Sequence, residues 1–304
     1  IGYLVIRYLP MLIIIMLMSG IDSATYTYVS MFIKYIISVL ENDATSVNNL
    51  PQFVIDIFNQ GETKIQMITY AAIGLFLFQF ARGVFKFLMG FYRQFFGETL
   101  AKKIRKDMYA HIQSLPYSYH NNVDTGDLIQ RCTTDNETIR NCLCSQLPEL
   151  ISIFAVLITA VLQMIRINQI LMWVSLIIVP LAAITSIVFC IYVEKKFTEI
   201  EKEEAKLMSI IQENIAGVRV VKAFANEFFE KEKFEKQNDI YSAKNLKLNK
   251  ISAIFWGVSD ASTLIQYLIT MATSIFLLIN NPGVISGSDV VAVMMLLSSY
   301  IWPV

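Results

Sequence analysis

Apolar residues gather into six runs along this chain, at about 9–39, 65–96, 143–166, 170–193, 251–279 and 289–304. The first five are long enough for a helix to cross a bilayer, whereas the last holds only 16 residues, fewer than the roughly 20 a span requires. The helical patterns around these runs continue much further. No proline occurs from Ile65 to Leu115, so one helix of 51 residues at about 1.5 Å per residue would reach about 77 Å. A bilayer core needs only about 30 Å. The part left over is the charged half, GETLAKKIRKDMYAHIQSL, and the same excess recurs in Ile170 to Ile215 and in Phe228 to Ile279. With no strand alternation and no internal repeat, the pattern predicts an all-α polytopic membrane protein. It has six long transmembrane helices, some extended into water as stalks.

Each charged excursion contains one break. In the first, Pro116 ends a helix, YSYHNNVDTGD follows, and Asp127 with Gln130 three residues on predicts a capping box that opens the next helix. In the second, the fourth helix carries apolar residues at Phe197, Ile200, Leu207, Ile211 and Ile215, close to a 3.5–3.6 period. Gly217 ends it, VRVVKAFANE forms a short element, and FFEKEKFEKQ begins the return. Two helical hairpins are expected, each tipped by a short helix of six to ten residues. On the other side, PQFVIDIF predicts one short surface helix within the first loop. Arg166 to Gln169 is tight enough to make spans three and four an antiparallel hairpin, and NNPGVISGSD carries ordinary turn chemistry.

Composition agrees with the pattern: of 304 residues 55% are hydrophobic and 16% charged, with mean hydropathy +0.51. Of the 25 Lys and Arg, six fall in 98–140 and twelve in 194–250, while the connections around 41–64, 166–169 and 280–288 hold only Lys64 and Arg166. The positive-inside rule then puts both hairpins in the cytoplasm, with the cell membrane as the expected location. Cys132, Cys142, Cys144 and Cys190 form no C-x-x-C pair, so neither a disulfide framework nor a zinc site is expected. Asn136-Glu-Thr138 fits a glycosylation acceptor but falls on the cytoplasmic side. The first apolar run lacks a small-residue cleavage site and reads as a retained span. The chain begins at Ile1 without Met and stops inside its sixth helix, which predicts an excerpt of a longer protein.

Several polar residues lie within the spans: Asp22, Gln79, Arg82, Lys86, Gln163, Asp260 and Gln266. Such groups normally face a bundle interior or a water-filled cavity. Asp22, Arg82 and Asp260 fall at comparable depth, so Asp22–Arg82 and Arg82–Asp260 are both open as ion pairs. Arg82 and Lys86 share one helix face. Asp22, Gln79, Arg82, Lys86, Asp260 and Gln266 are candidate cavity residues, and a structural salt bridge between helices is the competing reading. Arg82 and Lys86 suit an anionic or amphipathic ligand, Asp22 and Asp260 a cationic one. Seven phenylalanines between Phe76 and Phe95 read as facing lipid or a neighbouring helix more readily than lining a pocket. Pro180 removes a backbone hydrogen bond within span four and marks either a hinge or a static bend. His111 and His120 have no metal-binding companions, and no Ser-His-Asp grouping or paired catalytic carboxylates stand out. No catalytic residue, metal site or nucleic-acid partner is expected.

These features resemble the transmembrane domain of ABC exporters. The first tip, VDTGDLIQRCTTDNETIR, is similar to the family's Gly-Asp-Leu, Arg, Asp pattern at Gly126, Asp127, Leu128, Arg131 and Asp135. The second, QENIAGVRVVKAFANEFFEKEKF, is similar at Glu213, Gly217, Val221, Lys222, Phe224, Glu227 and Phe234. The end resembles the start of the family's sixth helix, with Gly287 and Asp289 entering it and Pro303 within it. The family's elbow helix is represented by at most IGYLVIRYL.

The resemblance implies that the tips are coupling helices docking in grooves on ATPase domains, at about Tyr117–Asp124 and Asn214–Phe224. Tyr117, Tyr119, Asn121, Asn122 and Asp124 would serve the first, and Gly217, Val221, Lys222 and Phe224 the second. It implies a second transmembrane domain, in a homo- or heterodimer surrounded by membrane lipids. ATP and Mg would sit on a nucleotide-binding domain, with none in this stretch, which has no Gly-Lys dipeptide and so no phosphate loop. The implied activity is ATP-driven alternating access moving an amphipathic or hydrophobic substrate outward, as in multidrug efflux. The alternative from another class is an ion-coupled secondary transporter or channel, for which broken helices, repeat symmetry or midplane ionisable rings are expected. A membrane-embedded enzyme would need a catalytic grouping that is not evident.

Overall fold

The computed structural model describes residues 2–41, 50–61, 63–280 and 285–301. Parts of the two longer loops, and Pro303, lie outside the described residues, as does the side chain of Asn122. No β-strand forms among them, and the helices are α1 (Gly2–Tyr26), α2 (Tyr28–Glu41), α3 (Gln52–Phe58), α4 (Lys64–Ser114), α5 (Tyr117–Asn122), α6 (Thr125–Gln130), α7 (Asn136–Asn141), α8 (Leu147–Ile167), α9 (Gln169–Leu176), α10 (Ile178–Ala216), α11 (Val218–Ala223), α12 (Glu227–Asn280) and α13 (Gly287–Ile301). Among the described residues, five helical stretches are long and apolar enough to cross a membrane: Tyr8–Glu41, Lys64–Ser114, Thr125–Ile167, Gln169–Ala216 and Glu227–Asn280. α13, with 15 residues, is shorter. The 51 residues of α4 coincide with the proline-free stretch within one residue at either end. α12 is longer still at 54 residues, about 80 Å.

Local chemistry sets the ends and the breaks. Thr63 and Gln66 form a reciprocal capping box at the start of α4. Asn168, in extended conformation, accepts from the amides of Ile170 and Leu171 and turns the chain from α8 into α9. The first span, expected as one helix, is interrupted at Thr27, whose hydroxyl donates to the carbonyl of Ala24 at 2.8 Å; Ser30 donates in turn to that of Thr27 at 2.6 Å. The fourth is interrupted at Ile177, three residues before Pro180. The proline lacks an N–H, and its ring crowds the carbonyl of Leu176, four residues back. Residues 2–9 of the expected elbow lie within α1. The capping box expected from Asp127 and Gln130 does not open the helix after the first tip. Asp124 is the cap, accepting from the amide of Gly126 at 2.8 Å, because the helix begins at Thr125, ahead of Asp127. Between α6 and α8 the chain stays helical through two π-helical stretches, Arg131–Asp135 and Cys142–Gln146.

The chain divides into two compact units, residues 1–175 with 269–304, and residues 176–268. In the first unit α1 packs chiefly on α8, and α13 on α2 and α8. Leu12 and Ile15 of α1 meet Phe96, Leu100 and Ile104 of α4 in a buried cluster with Cys144. Those three α4 positions form one helix face; Phe76, Phe80, Phe87, Phe91 and Phe95 lie on another and are exposed. Small and polar residues let α1 approach α8: Ser19 and Ser152 share a hydrogen bond of 2.6 Å, and Gln163 donates to Thr27 at 2.7 Å. The short helix α3 is less superficial than expected, because Phe58 is 3% exposed and packs against Phe32 and Tyr35. A Cβ on Gly74 would lie 2.8 Å from the Phe58 ring.

The second unit is a helical hairpin. Phe189 stacks on Phe255 at 3.8 Å, Lys244 reaches Glu203 at 3.0 Å and Lys233 reaches Glu213 at 2.9 Å, so α10 and α12 run antiparallel toward the turn at α11. The buried stripe of the α10 stalk is Ile200, Glu203 and Leu207. Of the apolar positions expected to form it, Phe197 and Ile215 are exposed.

Candidate functional site

Three places bring sequence candidates together: one tip in each unit, and a cavity within the first unit.

At the first tip, Pro116 ends α4 and supplies the pre-set φ that opens α5. Tyr117 stands 82% exposed, Asn121 is exposed, and Tyr119 is half-buried with its ring edge-on to that of His120 at 5.9 Å. His120 Nε2 lies 3.1 Å from the carbonyl oxygen of Ile112, which ties the short helix back to the stalk. Asp124 belongs to the next helix as its cap, so α5 ends two residues before the expected boundary. Gly126, Asp127 and Leu128 lie in α6, and Asp127 pairs with Arg131 at 3.0 Å. Asp135 is exposed at the end of the first π-helical stretch. The neighbouring stalk is fastened by Asn136, which is fully buried and donates to the carbonyl of Ala101 at 3.0 Å. A buried side chain is no glycosylation acceptor. Arg140 bridges Glu98 and Glu137 close by.

At the second tip, Asn214 falls in the last turn of α10 and Gly217 separates it from α11. α11 ends in a Schellman motif: the Asn226 amide donates to Val221 O at 3.0 Å and that of Ala225 to Lys222 O at 3.3 Å. Ala225 holds a left-handed φ of 48°. Phe224 is left 79% exposed at the end of the helix. Lys222 reaches Glu227 at 2.8 Å, and that bond holds the Glu227 carboxyl below its ordinary value. A groove of about 400 Å³ runs under this tip, lined by Ile211, Ile215, Val221 and Phe234 among others.

Below that tip, Glu203 fastens the stalk. Its carboxylate accepts from Gln237 at 2.9 Å, Lys244 at 3.0 Å and Lys206 at 3.2 Å, and these bonds pull its pKa from 4.5 to about 2. The residue escapes a sequence reading because its apolar neighbours Ile200 and Leu207 carry the period, and nothing local indicates that α12 supplies its donors.

The cavity, of about 410 Å³, is bordered by α1, α4, α8 and α13. Of the sequence candidates it gathers Asp22, Arg82 and Lys86. Arg82 Nε lies 3.0 Å from Asp22 Oδ1, off a directed hydrogen-bond axis, and Nη2 donates to Oδ2 at 3.2 Å. The guanidinium also sits 4.8 Å over the Tyr26 ring. Of the two ion pairings left open by the sequence, Arg82 makes the one with Asp22. Asp260 is exposed on α12 in the second unit, where Gln266 is buried, and Gln79 is exposed on α4 outside the cavity lining. The lining adds Glu149, Ser152 and Ser299, which the sequence did not single out. Tyr26 was readable in principle, one turn after Asp22; the others come from helices whose register against α1 is a matter of packing.

A second buried ion pair joins α2 to α13. Lys34 Nζ lies 2.7 Å from Asp289 Oδ1, with side chains 1% and 8% exposed. Asp289 also accepts from the amide of Ser286 at 3.0 Å, closing a capping box for α13. Glu41 accepts from the amide of Ser288 at 3.2 Å, and a Cβ on Gly287 would overlap its carboxylate.

The family described as ABC transporter transmembrane region matches residues 12–304. An uncharacterized ABC transporter ATP-binding protein of Bacillus subtilis is 27% identical over 79% of this chain and 41% of its own length. An ATP-dependent lipid A-core flippase of Pseudoalteromonas translucida is 26% identical over 83% of the chain and 43% of its own length. A putative multidrug export ATP-binding/permease protein of Staphylococcus aureus is 26% identical over 72% of the chain and 38% of its own length. The chain thus spans about two fifths of the length of these curated relatives. With its membrane-length helices and their long charged extensions, it belongs to the ABC transporter transmembrane region family and is an integral, multi-pass membrane protein.

Proposed function

We propose that this chain is the permease part of an ATP-driven exporter, moving an amphipathic or hydrophobic substrate outward by alternating access. The observation that carries the reading is a pair of stiff stalks ending in six-residue helices, with Tyr117 82% exposed at the start of one and Phe224 79% exposed just past the end of the other. Lys and Arg concentrate in the stalks, which supports a cytoplasmic placement for them and the cell membrane as the location. α5 and α11 then act as coupling helices seated on nucleotide-binding domains that hold ATP and Mg. A second transmembrane domain, identical or different, completes the pathway, and the apolar faces exposed on α10 and α12 support such a partner.

ATP binding draws the nucleotide-binding domains together and carries the tips with them. Stalks of rigid helix transmit that displacement to the spans, and hydrolysis resets it. The cavity around Asp22–Arg82 is the candidate substrate site. The ion pair leaves Lys86 and Glu149, both exposed and without a salt bridge or hydrogen bond among the described residues, as its free charges. Relatives named for lipid A-core and for multidrug export support an amphipathic substrate class.

Phe224→Ala and Tyr119→Ala test the tips. In proteoliposomes carrying the full-length protein, each is expected to lower transport at least several-fold per ATP hydrolysed, with unchanged yield and thermal midpoint. Transport per ATP equal to that of the parent in both variants would refute the coupling role.

A further inference from the structure

In the second unit a cavity of about 170 Å³ opens where the apolar sequence of α10 and α12 gives way to charge. That is room for roughly six water molecules, enough for a phosphodiester but not for acyl chains. The apolar run of α10 ends at Val193 and that of α12 begins at Ile251, so Tyr192 and Ile251 form the membrane-side wall and Lys196, Lys244 and Lys247 the other. Glu199 is the one acid in the lining and is engaged with Lys196 at 2.8 and 3.0 Å. Lys244 gives one hydrogen bond to Glu203. Lys247 has no salt bridge or hydrogen bond among the described residues. Counting Glu203, three lysines therefore meet two carboxylates, and Lys247 is left as the unmatched charge; Lys196, first, with the charges of Lys244 and Lys247, holds Glu199 below its ordinary pKa. Just to the apolar side lie the stacked rings of Phe189 and Phe255, with Trp256 exposed beside them. That is where aromatic residues mark a membrane interface.

We propose that this cavity binds the phosphate of an anionic membrane phospholipid, with the acyl chains lying along α10 and α12 beyond Tyr192 and Ile251. Basic pockets between helices at a membrane surface recognise lipid headgroups in this way. The half-apolar wall favours a lipid over a soluble phosphate, which would gain nothing from Tyr192, Leu248 and Ile251. The site needs only that α10 and α12 keep a lipid-facing side at Tyr192 and Ile251 beside the second transmembrane domain, whatever the transporter carries.

The test is native mass spectrometry of the full-length protein titrated with phosphatidylglycerol or phosphatidylcholine. The parent should bind phosphatidylglycerol at least several-fold more tightly. Lys196→Gln/Lys247→Gln should weaken it by roughly thirtyfold, the attraction of two lysines for an anionic headgroup, without altering phosphatidylcholine. Lys196→Arg/Lys247→Arg, which keeps the charge, should retain binding, as should Lys202→Gln/Lys236→Gln, which removes two exposed stalk lysines. Equal affinity of the parent for the two lipids would overturn the proposal. So would unchanged phosphatidylglycerol binding in Lys196→Gln/Lys247→Gln, an equal loss in Lys202→Gln/Lys236→Gln, or displacement of the lipid by millimolar inorganic phosphate.

Discussion

Lys34 and Asp289 show what a single buried charge does in this protein. Each is almost wholly withdrawn from solvent, and neither is stable there alone. Removing one partner of such a pair typically costs about 3–5 kcal/mol, because the other charge stays buried and uncompensated. Lys34→Met is therefore expected to lower the thermal midpoint of the purified protein sharply. Lys34→Met/Asp289→Asn should recover most of the loss, since Asn still accepts from the Ser286 amide while carrying no charge. A double variant as unstable as Lys34→Met would mean that the lysine acts through packing alone. In the sequence Asp289 stands out as a residue entering the last helix, whereas Lys34 is one polar position within the first apolar run. A lone lysine among apolar residues carries no local sign of whether it reaches water or a carboxylate. The Asp22–Arg82 pair was half legible for the same reason: depth along a helix can be counted, but the helix that supplies the partner cannot.

At the scale of elements, the α10–α12 hairpin rests on Glu203 as well as on its apolar stripe. The folded-state pKa of this carboxyl is about 2 against an ordinary 4.5. Its contribution is therefore complete above about pH 5 and is lost as pH falls from 4.5 toward 2, as protonation removes the acceptor for Gln237, Lys244 and Lys206. Hydrogen-exchange protection across the hairpin, taken relative to the unstructured rate at each pH, is expected to fall over that window. Glu203→Gln should exchange faster at pH 7 and lose most of the acid dependence; an identical profile in both proteins would count against the staple.

Element boundaries were legible wherever a proline, glycine or short polar side chain acts on its own backbone, as Pro116, Gly217 and Pro180 do. The cap of α6 is not fixed by its segment, which offers two aspartates in similar contexts; the first, Asp124, satisfies the Gly126 amide. The burial of Glu203 in place of Phe197 was not legible. It depends on which face of α10 meets α12.

At the scale of the molecule, the apolar half of each long helix must lie in lipid and the charged half in water. Lys at the outward-facing centre of a span should cost about 2.5–3.5 kcal/mol in insertion. Phe80→Lys, on the exposed face of α4, is expected to reduce membrane insertion, whereas Tyr109→Lys, on the exposed stalk of the same helix, should insert as the parent does. Insertion assayed by a glycosylation reporter checks both, and equal behaviour of the two would contradict the division of α4 into span and stalk.

That division, the lengths of α4 and α12 and the presence of two short tips were determined by the sequence alone, because helix rise, backbone hydrogen bonding and the cost of charge in lipid are local properties that a run of residues carries with it. The tertiary structure alone decided which polar groups meet: Asp22 with Arg82, Lys34 with Asp289, and Glu203 with donors from α12. Each of these contacts joins different helices, and which faces meet is set by packing over the whole length of the helices, through small residues such as Ser19 and Gly74 that no single segment reveals.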